Sequence, residues 1–337
     1  MKILFINSRK FDYAQDLTFS GLAAVLGRHS IRDLPFNFTY HLNFKPYPKN
    51  LGGAGFSATD IYRASEIRPD NCDFVFLGSL KPDALEVYLK VLPEIPKSTP
   101  IVLIEGGDHE AIGGDAYRLK CGHLWEEAIR QRPFDFIFKR EFLKDTKYAD
   151  NVRPLPFSMN FSALKVQPSR VFDKDVSFWA VESHPIRTQG LDLLKGQFDC
   201  DRNGTSKNQV FKNYKYKGRR YHEELAKCKI VLSLRGGGWD TLRYWEVPAL
   251  GPLLVSQKLN IEIPNDFEHK KHVIFCQDDL SDLIDICRYY LQHESERLKI
   301  STAAYAHLKK YHSHTARANY IVENLIRAFS PGKLGQN

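Results

Sequence analysis

Short, almost continuously apolar runs alternate with helix-patterned stretches along the chain, and they do so in two successive sets. Residues 2–6 (KILFI), 74–77 (FVFL), 101–104 (IVLI) and 134–138 (FDFIF) read as strands that are apolar on both faces. Residues 82–92 and 124–130 between them read as helices. Strands buried on both faces belong to parallel sheets covered by crossover helices. The pattern restarts with strands at 176–181, 230–234, 252–256 and 273–276, separated by helical segments around 190–194, 221–228 and 241–250. Beyond Ser281 the pattern is almost wholly helical. Between the two sets, Pro154, Pro156 and Pro168 break any helix. A length of 337 residues suits two domains of ~150 residues each. The expectation is α/β: two Rossmann-like, doubly wound domains, 1–158 and 170–337, joined near 155–172 and facing a central cleft. Ligands of open parallel sheets bind outside the carboxyl ends of the strands, so function is sought in that cleft.

Composition removes several classes. Hydrophobic residues at 43% and charged residues at 26% exclude a disordered or fibrous chain. Cys72, Cys121, Cys200, Cys228, Cys276 and Cys287 show no CxxC spacing, so neither disulfides nor structural zinc is expected, which fits a reducing cytosol. No apolar run approaches ~18 residues. The opening MKILFIN runs directly into a strand rather than into a signal-peptide core. The expected location is therefore cytoplasmic, with the inner membrane surface left open. Forty-eight basic against 40 acidic residues give +8, which suits a protein that handles phosphates or approaches an anionic surface.

Residues 230–256, IVLSLRGGGWDTLRYWEVPALGPLLVS, carry the most chemistry. A strand ends at Leu234, Gly236, Gly237 and Gly238 follow, and a helix begins near Asp240 and Thr241. Glycine lets backbone approach a ligand closely, and free N–H groups at a helix start attract an anion. Arg235 and Arg243 flank the loop and could neutralise a diphosphate. Glu246, three residues after Arg243, shares its helical face and could accept hydrogen bonds from two neighbouring hydroxyls, such as those of a ribose. Pro248 and Gly251 are expected to end the helix. The plain alternative is a glycine-rich turn with Asp240 as helix cap and Arg243–Glu246 as a surface pair. The spacing fits neither GxGxxG nor a P-loop.

The run Leu242-Arg243-Tyr244-Trp245-Glu246-Val247-Pro248-Ala249-Leu250-Gly251 resembles the donor-site signature of CgeB-like glycosyltransferases of the GT-B superfamily. Residues 290–300 (YLQHESERLKI) and 311–317 (YHSHTAR) resemble the later helix and the ending of the same family, and 175–187 (DVSFWAVESHPIR) matches its first C-domain strand in type. The resemblance covers about residues 150–325 in order. It implies a nucleotide-diphosphate sugar as donor substrate, with no other cofactor, bound mainly by the C-terminal domain. Carried over, Glu246 would hold the ribose hydroxyls, with Arg243 and the Gly236–Gly238 loop near the diphosphate. The broader retaining GT-B pattern has a second glutamate eight residues before the ribose glutamate; here Gly238 stands there, which leaves the stereochemical outcome open.

Glycosyl transfer needs a base for the acceptor hydroxyl and charge stabilisation for the leaving group. The loop after strand 101–104, EGGDHE, offers Asp108 or His109 as that base, and a cap at a helix start is the plain alternative. Asn7-Ser8-Arg9 and residues 51–56 (LGGAGF) could line the cleft, and Arg187 in 183–187 (SHPIR) could reach a phosphate. Residues 207–229 interleave basic side chains with Phe211, Tyr214, Tyr216 and Tyr221. They read as a solvated face first, a contact for an anionic acceptor or lipid head group second, and a nucleic-acid surface last. Asp199-Cys200-Asp201 reads as a loop rather than a metal motif, and His307, His312 and His314 as a helix break rather than a metal site. The reading is a metal-independent glycosyltransferase of unknown acceptor and oligomeric state, the alternative a non-catalytic GT-B protein that binds nucleic acid or phosphoglycan. The final helix, around 315–329, is expected to cross back to the N-terminal domain.

Overall fold

The computed structural model describes residues 1–42, 45–53, 55, 57–168, 171–178, 180, 181, 183–198 and 218–329. Six strands form the first sheet: β1 (Ile3–Ile6), β2 (Ile31–Leu34), β3 (Phe74–Leu77), β4 (Ile101–Glu105), β5 (Phe136–Lys139) and β6 (Val152–Pro154). Their order is β2-β1-β3-β4-β5-β6 and every pairing is parallel. The second sheet, in the order β10-β9-β8-β7, is also parallel and comprises β7 (Lys174–Ser177), β8 (Cys228–Ser233), β9 (Leu253–Gln257) and β10 (Ile274–Cys276). The connecting helices are α1 (Tyr13–Leu26), α2 (Phe38–His41), α3 (Ala58–Ser65), α4 (Pro82–Val91), α5 (Gly114–Arg118), α6 (Gly122–Gln131), α7 (Pro185–Leu194), α8 (Arg219–Ala226) and α9 (Leu242–Leu250). Three more close the chain: α10 (Leu283–Gln292), α11 (Glu294–Tyr311) and α12 (His314–Phe329).

The two-residue period of a strand explains why these runs are apolar throughout. Ile3, Phe5, Phe74, Phe76, Val102 and Ile104 enter a core shared with Phe19 and Leu22 of α1 and Ile321 and Leu325 of α12. Their alternates Leu4, Ile6, Val75, Leu77, Ile101 and Leu103 enter a second core under Leu85 and Tyr88 of α4 and Trp125 of α6. The second sheet divides likewise, with Val231 and Leu254 on one side and Ile230, Leu232, Leu253 and Val255 on the other.

As the sequence leads one to expect, the last helix returns to the first sheet. A Cβ on Gly21 of α1 would run into the His314 carbonyl oxygen, so the two helices touch backbone to backbone. Phe329 packs edge-on against Phe74 at 5.7 Å. Three details differ from the sequence reading. The strand expected at 176–181 is formed instead by Lys174–Ser177. β2 and β6 are additional strands; β2 (IRDL) hides because Asp33 interrupts its apolar pattern, although that carboxylate is buried and holds the Asn37 N–H and His41. Pro248 does not end α9: the helix runs on to Leu250, and Gly251 at φ 102° terminates it.

Candidate active site

The carboxyl ends of both sheets open onto one cavity of about 780 Å³. From the first sheet it is lined by the loops after β1, β3, β4 and β5, and from the second by the glycine loop and the start of α9. Of the residues singled out in the sequence, Asp108, Arg187, Gly236, Gly237, Gly238, Asp240, Thr241, Arg243 and Glu246 meet there.

Arg243 and Glu246 are buried, at 7% and 3% exposure, so they are not a surface pair. Burial pushes the Glu246 carboxyl up, while Tyr47, Arg243 and Tyr221 pull it the other way. Its Oε1 accepts from the Tyr47 hydroxyl and its Oε2 from the Tyr221 hydroxyl at 2.8 Å. Tyr47 comes from the turn after α2 and Tyr221 from α8, so two distant segments converge on one carboxylate. Beneath Tyr47 lies His222, fully buried with neither ring nitrogen hydrogen-bonded, its pKa pushed down to about 4 by burial. Such a histidine must be neutral in the folded chain. Below pH ~6.5 the unfolded chain takes up the proton instead, so stability falls as pH drops toward the folded pKa. A His222→Phe variant should therefore lose about 2 kcal/mol less stability than wild type between pH 7 and pH 5, read by urea unfolding at both pH values. An equal loss would show that His222 does not carry this acid sensitivity.

The three glycines are needed because charged side chains press on their backbone. A Cβ on Gly236 would meet Arg187 Nη2 at 2.8 Å, one on Gly237 the Asp108 carboxylate at 2.8 Å, and one on Gly238 the Glu141 carboxylate. Asp240 is buried and does not cap the helix. Its Oδ1 accepts from Trp245 Nε1 at 2.8 Å and its Oδ2 from the Phe157 N–H at 2.5 Å, and burial beside Glu141 pushes its pKa to about 7. Thr241 Oγ1 shares a hydrogen bond of 3.0 Å with Ser233. Arg187 lines the cavity, yet its guanidinium donates to the carbonyls of Val181, Leu234 and Arg235 at 2.8–3.2 Å and so holds the loop in shape.

Two candidates lie off the cavity wall. The Arg235 guanidinium stacks on Trp239 at 4.1 Å. His109 Nδ1 accepts the Ala111 N–H at 3.1 Å and its ring covers Gly114, so of the pair only Asp108 faces the cleft. A turn hydrogen bond holds the imidazole and the Trp239 ring holds the guanidinium, so neither reaches across.

The residues that organise the cleft follow one another at the end of β5 and were not singled out in the sequence. Lys139 Nζ pairs with Glu105 at 2.5 Å and donates to the His109 carbonyl at 2.8 Å. Arg140 pairs with Asp108 and donates to the carbonyls of Gly107 and Asp240. Glu141 accepts the N–H groups of Trp239 and Asp240 at 2.8 and 3.0 Å. All three are buried and bolt the loop after β4 to the glycine loop. Their signal was three charged residues directly following the apolar strand FIF.

Within 218–229, Arg219 pairs with Glu223, Lys227 with Glu224 and Lys229 with Asp175. Residues 207–217 and Asp199-Cys200-Asp201 lie outside the described residues, as do Ala54 and Phe56. His307 and His312 both turn Nε2 to the Asn265 carbonyl. No helix among the described residues is long and apolar enough to cross a membrane.

Two parallel α/β sheets facing a shared cavity, with the last helix crossing back, define the GT-B fold. Residues 194–323 match the family model described as Glycosyl transferase-like, so the second half of the chain carries a glycosyltransferase-like domain. No curated protein matches the chain in sequence. Among solved structures, an alpha-glucosyltransferase (AGT) in complex with UDP aligns at TM-score 0.62 and 12% identity, over 97% of this chain and 100% of that one. Anabaena Alr3699/HepE in complex with UDP and glucose aligns at 0.60 and 12%, over 97% and 100%. The sucrose-phosphate synthase (tll1590) from Thermosynechococcus elongatus aligns at 0.55 and 8%, over 98% and 100%. At these identities the likeness shows the fold.

Proposed function

We propose that the protein is a glycosyltransferase that moves a sugar from a nucleotide-diphosphate sugar to a hydroxyl acceptor. The observation that carries this is the meeting of Glu246, Arg243 and the glycine loop with Asp108 from the opposite sheet on one cavity. In this reading Glu246 takes the ribose hydroxyls in exchange for those of Tyr47 and Tyr221. Arg243 and the N-terminus of α9 offset the charge of the diphosphate, so no metal is required for it. Asp108 receives the acceptor proton. The two domains are assigned to residues 1–158 and 170–337, with donor contacts mainly from the second, and CgeB-like membership is the finer assignment of its motifs. UDP in the AGT and HepE structures makes uridine nucleotides the first donors to try. A cytoplasmic setting is supported by the five described cysteines, which are buried free thiols.

Incubation with UDP-, GDP-, ADP- and dTDP-sugars, followed by chromatography, tests the assignment. Slow release of free sugar and nucleoside diphosphate from one donor is expected. Tight polyanion binding with no donor cleaved would instead support a non-catalytic binder.

A further inference from the structure

The charges on the first-sheet wall of the cavity are largely matched in pairs, and that bears on the acceptor. Among the described residues of the first-sheet wall, three of the four cations have a carboxylate at hydrogen-bond distance. Lys81 pairs with Asp12 at 2.7 Å, Arg118 with Asp115 at 2.5 Å, and Arg140 with Asp108. Lys49 is the exception, and it sits on the turn that carries Tyr47 to Glu246, on the donor side. Opposite this wall, Arg243 lies beside Glu246, whose two oxygens accept from Tyr47 and Tyr221. Apart from Lys49, the described residues of the first-sheet wall offer no excess positive field to a phosphate or polyanion, and they would bring an anion close to Asp108.

The same wall carries an apolar platform. Half-buried Phe11 and Tyr13 meet edge to face at 4.6 Å, and Tyr13 meets Phe157 at 5.7 Å. A pyranose presents a C–H face to such rings and hydroxyl donors around its rim, and ionised carboxylates accept hydrogen bonds only.

Resting on the glycosyltransferase reading above, we infer that the acceptor is an uncharged sugar unit, seated on Phe11 and Tyr13 with its hydroxyls toward Asp12 and Asp108. The acceptor oxygen forms the new bond to the donor's anomeric carbon. The bond from that carbon to the diphosphate oxygen breaks and leaves its electron pair on the diphosphate, and the acceptor's proton goes to Asp108.

Saturation-transfer NMR on the nucleoside-diphosphate-loaded protein reads this directly. The probes are methyl glucoside, methyl galactoside, maltose and cellobiose, with glucose 6-phosphate and a dT12 oligonucleotide as anionic counterparts. At least one neutral probe should receive saturation, with a Kd that changes less than about twofold between 50 and 500 mM salt, because no net charge is neutralised. Phe11→Ala should abolish that signal while its thermal shift with nucleotide stays at the wild-type value. Binding of the anionic probes alone, weakening with salt, would overturn the inference. So would neutral binding that survives Phe11→Ala, or no probe binding while the nucleotide shift is intact. Loss of the nucleotide shift in wild type would instead strike the donor reading.

Discussion

An Asp108→Asn variant is expected to lose sugar transfer by about 10²–10⁴-fold while binding nucleotide as tightly as the wild type, the usual scale for removing a general base. Asparagine keeps an oxygen for the Arg140 guanidinium, so the loop should hold its shape while proton acceptance is lost. Asp108 is half exposed to the cavity and stands over the Gly237 backbone, where acceptor and donor would meet. His109→Ala should retain near-wild-type turnover, because that imidazole serves Ala111 and Gly114. Steady-state kinetics separate the effects: a fall in kcat at constant donor affinity supports the role, and wild-type turnover in Asp108→Asn places the base elsewhere.

Arg140→Ala should be the most damaging single change to the fold around the cleft, at about 3–5 kcal/mol, because removing one partner strands buried charge. Glu141, only 2% exposed, loses its cation, and the carbonyls of Asp240 and Gly107 lose a donor. The guanidinium also lies over Phe157 at 4.6 Å, a contact alanine cannot replace. Arg140→Lys should recover only part of the loss, since an ammonium cannot reach four partners in the fixed geometry of the guanidinium fork. Urea unfolding measures both variants; a cost below about 1 kcal/mol for alanine would mean that the two loops hold together without this bolt.

The architecture was legible because strands buried on both faces leave an apolar signature, which β1, β3, β4, β5, β8, β9 and β10 carry, whereas β7 opens on Lys174 and Asp175 and ends before most of the 176–181 run. β2 and β6 were not legible, since Asp33 and a three-residue strand ending in Pro154 break the pattern. On the donor side, local spacing placed Arg243 and Glu246 on one helix face. Tyr47 was beyond reach because it meets Glu246 across 199 positions of sequence, through the packing of two sheets. Arg140 and Glu141 were missed for the same reason: their partners at 107–108 and 239–240 are neighbours only in the folded molecule. His109 and Arg235 were plausible by residue type, but a turn hydrogen bond and a tryptophan ring claim them first.

The central claim is that Glu246 anchors a nucleotide donor, and a thermal-shift panel of UDP, GDP, ADP, CMP, dTDP and their sugars on wild type and Glu246→Ala tests it most directly. One diphosphate at ~100 times its dissociation constant should stabilise the wild type by ~2.7 kcal/mol and leave the variant unshifted. No shift with any nucleotide, or an equal shift in the variant, would contradict the assignment.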